Sequence, residues 1–115
     1  MANIIETVKP MNITIGDKSY TLEFNRNSVV SAERLGLDLE QIKTAPMTAI
    51  PLLFFAAFKM HHPEISRKET DSILFETLKG VTKEELQRLM ELYAEPTNAL
   101  INDSEDNRKN VTISL

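Results

Sequence analysis

Cysteine is absent from this 115-residue chain. That excludes disulfides and thiolate metal sites. A basic excess is also missing: 13 Lys and Arg stand against 17 Asp and Glu, for a net charge of -4. The charges are scattered in both signs, whereas a nucleic-acid binder normally carries a basic stripe. No nucleic acid is therefore expected as a partner. The longest oily stretch, Ile50 to Phe58, holds nine residues and includes a proline. A membrane-spanning helix needs about 20, so no membrane is expected. The chain opens Met1-Ala2-Asn3-Ile4-Ile5-Glu6 with no basic n-region and no apolar h-region. It does not read as a secretory signal, and a cytoplasmic location is the expectation. Internal repeats and low-complexity tracts are absent as well.

What is present is ordinary for a soluble globular protein, with 42% apolar and 26% charged residues. The length fits one domain with a real core, and is too short for two. The most distinctive segment is Pro46 to Pro63, PMTAIPLLFFAAFKMHHP. Leu52, Leu53, Phe54, Phe55, Ala56, Ala57 and Phe58 run without a polar break. A helix that is apolar all round must be covered on every side, by its own domain or by a partner.

The flanking patterns predict an α+β fold. Residues 1–10 read as a flexible lead-in, residues 11–101 as the domain, and residues 102–115 as a polar tail ending in a short strand. Met11–Ile15 and Tyr20–Phe24 alternate apolar with polar around Gly16-Asp17-Lys18-Ser19, the signature of a hairpin. A four-residue loop sets Ile15 opposite Tyr20 and Met11 opposite Phe24. A two-residue Gly16-Asp17 turn keeps the same face but sets Ile15 opposite Lys18. The longer loop is preferred.

Asn25 or Asn27 caps the next helix, which carries Val29, Val30, Ala32 and Leu35 and stops at Gly36. Leu37 to Thr44 reads as a turn or a scrap of helix. The oily helix then starts at Pro51, or is kinked there in its first turn, and closes at Pro63. Ser66-Arg67-Lys68-Glu69 and Thr82-Lys83-Glu84-Glu85 are capping boxes for two further helices. The second places Leu86, Leu89, Met90 and Tyr93 on one face before Pro96 interrupts it. Val111, Ile113 and Leu115 alternate with Thr112 and Ser114. A two-stranded hairpin is marginal in water, so this tail is expected to return and pair with it.

Few residues invite chemistry. His61 and His62 are adjacent, so on a helix they point about 100° apart and do not share an ion. No third ligand follows at zinc spacing. A helix C-terminal role suits them better, favourable to the dipole when protonated. Glu69, Asp71, Glu76, Glu84 and Glu85 sit where helix starts and exposed faces want carboxylates. No motif with a catalytic mechanism is present, so the expectation is a non-enzyme without metal or cofactor. Apolar surface remains the candidate. Core and interface look alike in one sequence, and both readings stay open. The interface reading places Leu53, Phe54, Phe55 and Phe58 against a partner, with Leu89 and Tyr93 lining a neighbouring face.

The segments Tyr20–Arg26 (YTLEFNR), Pro46–Phe54 (PMTAIPLLF), Met60-His61-His62 and Leu92–Pro96 (LYAEP) carry a resemblance. It spans about residues 11 to 115. The chain resembles a small family of uncharacterised proteins encoded in the tail modules of long-tailed phages and prophages of Gram-positive bacteria. By size and character such proteins look like tail assembly chaperones. The resemblance implies a non-enzymatic homo-oligomer that coats the tape-measure protein and keeps it soluble while the tail tube polymerises. It supplies no catalytic residues. A head–tail connector or another virion component is the alternative.

Overall fold

A computed structural model describes residues 8–101 and 111–115 of the chain. Two antiparallel strands come first, β1 (Met11–Ile15) and β2 (Lys18–Leu22). Five helices follow: α1 (Arg26–Arg34), α2 (Gln41–Thr44), α3 (Pro46–Phe58), α4 (Arg67–Ser72) and α5 (Lys83–Asn98). The fold is α+β, a hairpin packed on helices, as the patterns predict.

The hairpin turn is shorter than expected. Register pairs Ile15 with Lys18, Ile13 with Tyr20 and Met11 with Leu22. Gly16 has φ +62, while Asp17 is not among the positive-φ residues. Glycine at the first central position is the pattern of a type II′ turn, whose twist matches that of the strands it joins. The loop preferred from sequence is therefore replaced by Gly16-Asp17 alone. The inward face survives the change, because side chains repeat every two residues. Ile13 and Leu22 are buried, and Phe24 follows them inward.

Helix ends follow the sequence signals closely. Asn25 accepts from the Ser28 amide at 2.8 Å, and Ser28 Oγ accepts in return from the Asn25 amide at 2.8 Å. α1 stops with the Gly36 amide donating to the Glu33 carbonyl and the Leu37 amide to the Ala32 carbonyl. That is a Schellman end, which needs the positive φ of Gly36 (+93). It also folds Leu37 into the core, and Leu37 with Ser28 takes the buried places expected for Val30 and Leu35, which are exposed. Ser66 and Thr82 each accept from the amide three residues on, at 3.1 Å in both cases. Glu69 and Glu85 close both boxes. Ser66→Ala or Thr82→Ala is expected to cost about 1 kcal/mol each in urea unfolding, since each strips one N-terminal amide of its acceptor.

α3 is the central element and touches α1, α2, α4, α5 and β2. It starts at Pro46, not at Pro51. Pro46 occupies the first helical position, where a missing amide costs nothing. Pro51 lies in the second turn, buried within the helix, so it leaves the Met47 carbonyl without its helical donor. Met47 itself lies at an exposed position.

α4 passes into a π-helical turn, Ile73–Thr77, in which the Leu78 amide reaches the Ile73 carbonyl at 2.8 Å. The wide turn buries Ile73 and Leu74 together and leaves Phe75 outside. α5 runs through Pro96 to Asn98 rather than breaking there.

The lead-in is tied down where it is described. The Val8 amide donates to Glu95 Oε2 at 2.6 Å, and Arg88 donates to the Lys9 carbonyl at 3.1 Å. Residues 1–7 and 102–110, the remainder of the lead-in and most of the polar tail, lie outside the described residues. The expected third strand is not formed within the chain: Val111–Leu115 has no regular structure and is exposed. No helix among the described residues is long and apolar enough to cross a membrane.

Candidate protein interface

The six residues expected to meet a partner divide sharply by burial. Leu53, Phe54, Phe58 and Leu89 are fully buried at 0% exposure, and Tyr93 is buried at 8%. They form the core of the single chain. Phe54 and Phe58 pack edge to face with centroids 5.0 Å apart, and Tyr20 packs on Phe58 at 5.5 Å. Phe24 meets Tyr93 at 5.1 Å, again edge to face. Burial raises the Tyr93 phenol above its ordinary pKa, and the carboxylates of Glu33 and Asp38 add to the rise. A partner cannot touch these side chains unless the domain opens. The oily helix is covered by its own hairpin and its neighbouring helices, which resolves the two open readings in favour of core for five of the six.

Phe55 is the exception. It is half-buried on α3, and its ring lies under two cations, Lys59 Nζ at 5.4 Å and the Arg67 guanidinium at 5.7 Å from the centroid. Arg67 Nε donates to Asp71 Oδ1 at 3.3 Å. Asp71 in turn lines an open groove with Lys68, Ser72, Phe75 and Glu76. Phe75 is 48% exposed there, placed outward by the π turn. The exposed face of α4 and its π turn thus presents Phe75 among side chains of both charge signs, and Arg67 on the same helix covers Phe55. Phe75 was not legible as a surface residue, because a regular helix does not announce its own π turn in sequence. π turns of this kind recur at functional sites.

The histidines do structural work that spacing did not reveal. His61 Nε2 meets Glu23 Oε1 at 2.8 Å, near the surface. His62 Nε2 accepts a hydrogen bond from the Thr21 amide at 3.0 Å. Nε2 is the acceptor in this bond, which ties the ring to the backbone of β2. Among the described residues no three His, Asp or Glu side chains gather as metal ligands.

No curated protein and no solved structure matches the chain. A family model does match, over residues 1–115. The chain belongs to DUF5055, a family defined by a domain of unknown function.

Proposed function

We propose that this protein is a phage tail assembly chaperone-like protein, which self-associates and binds the tape-measure protein in the host cytoplasm during tail morphogenesis. The observation that carries the reading is the open face of α4 and its π turn around Phe75, with Phe55 of α3 lying under Arg67 of the same helix. Amphipathic helices dock by laying an apolar face into a groove, with charges at the rim setting orientation. Phe75 flanked by Lys68, Asp71 and Glu76, with Arg67 of α4 over Phe55, offers that chemistry to a long helical client. The resemblance to tail-module proteins supports it from a separate direction, though its quoted residues mostly hold the fold. Tyr20–Arg26 ends β2 and caps α1, Pro46–Phe54 opens α3, and Leu92–Pro96 carries the Tyr93 and Glu95 contacts.

Co-expression with the tape-measure protein of the same phage tests the proposal. The tape-measure protein should become soluble and co-purify with the wild type. Phe75→Asp should lose capture while keeping a wild-type melt, because the side chain is already half in water. A client that stays insoluble and unbound beside the wild type rejects the chaperone reading. Recovery of the protein from purified virions points instead to a connector or another structural component.

A further inference from the structure

The two edges of the β1–β2 sheet are treated differently. In an antiparallel pair, alternate residues exchange both their hydrogen bonds with the partner strand, and the residues between them face outward. Here Ile15–Lys18, Ile13–Tyr20 and Met11–Leu22 face each other across a two-residue turn. The backbone groups of Asn12 and Thr14 on β1, and of Ser19 and Thr21 on β2, therefore point away. The β2 edge is engaged by α3 and the turn after it: the Thr21 amide meets His62 Nε2, and just past the strand the Glu23 amide meets the Ala57 carbonyl at 3.0 Å. The β1 edge is open. Neither the amide nor the carbonyl of Asn12 or Thr14 has a partner among the described residues. Pro10 blunts only the approach to the strand.

The same chain holds an unused strand. Val111, Ile113 and Leu115 are 58%, 62% and 120% exposed and alternate with Thr112 and Ser114. Its five residues equal β1 in length, and its three apolar side chains repeat the spacing of Met11, Ile13 and Ile15. α5 delivers the chain close to the start of β1, since Glu95 binds Val8. The segment 102–110 that follows can span up to about 30 Å, enough to bridge to a neighbouring molecule.

We infer that residues 111–115 of one copy add as a third strand to β1 of a second copy, reciprocally, making a two-fold strand-exchanged dimer. Donor and acceptor sit unused on one molecule, which is the requirement for an isologous exchange. Main-chain bonds from Asn12 and Thr14 supply the attachment, and the aligned apolar rows supply the register. A third strand also lifts the hairpin out of the marginal range. The inference rests on the self-association half of the proposed function and gives it a mechanism.

Sedimentation equilibrium of the full chain, compared with a chain ending at Asn110 and with Ile113→Pro, tests it together with amide exchange. The full chain should be a dimer, and both variants monomers with a wild-type helical body. The Asn12 and Thr14 amides should exchange roughly tenfold faster or more in the variants, as local protection is lost. A dimer that survives truncation overturns strand exchange but leaves self-association standing. A full chain that stays monomeric overturns both, and if its Asn12 and Thr14 amides are nonetheless protected, the tail pairs with its own hairpin.

Discussion

Replacing Phe58 with alanine is expected to remove about 3–5 kcal/mol of stability, the usual cost of emptying a buried phenylalanine site. The side chain is fully buried, wedged between Phe54 at 5.0 Å and Tyr20 at 5.5 Å, with His62 tilted against it at 6.2 Å. It joins α3 to the hairpin, so neighbours on both sides lose dispersion contacts that backbone relaxation recovers only in part. A domain of this size holds about 5–15 kcal/mol in total, so the variant sits near the edge of folding. Urea unfolding at constant slope reads the change as a shifted midpoint. Phe75→Ala, by contrast, should stay within about 1 kcal/mol, since its ring is already half exposed. Equal costs for the two phenylalanines would contradict the division between core and surface.

That contrast also marks how far the sequence was legible. Local signals carried through because they act over three or four residues. Asn25, Ser66 and Thr82 cap where they stand, Gly36 ends α1, and Leu89 and Tyr93 face inward together on α5. The hairpin face was legible too, although its turn was not. Both loops keep the same inward side chains, so hydrophobic patterning does not choose between them, and the positive φ of Gly16 decides. Nonlocal questions were closed to the sequence. Whether Phe54 and Phe58 serve core or partner depends on what α1, α5 and β2 place around them. Pro51 misled for a related reason: a buried helix tolerates an interior proline when the carbonyl it orphans, that of Met47, lies at an exposed position. Outward placement of Phe75 follows from a π turn whose bond reaches five residues back, a feature that apolar spacing does not encode.

The histidine pair shows the same limit and gives the second large effect. His62→Ala is expected to cost about 1–3 kcal/mol, the range for leaving a shielded donor without its acceptor. Thr21 lies on the β2 edge, where its amide points away from β1 and towards the end of α3. His62 reaches it because the chain leaving α3 turns back, with the His62 amide bonded to the Phe58 carbonyl at 2.8 Å. The imidazole also packs edge-on to Tyr20 at 5.2 Å, so it joins sheet to helix through both a polar and an aromatic contact. Those contributions separate experimentally. His62→Gln offers a carbonyl acceptor at similar reach and should restore much of the Thr21 amide protection without restoring the ring contact. His61→Ala should change stability by about 1 kcal/mol at most, since its partner Glu23 is near the surface and water screens the pair. Hydrogen exchange at Thr21 is the decisive readout: protection unchanged in His62→Ala would mean that the sheet edge is held by the Glu23–Ala57 bond alone.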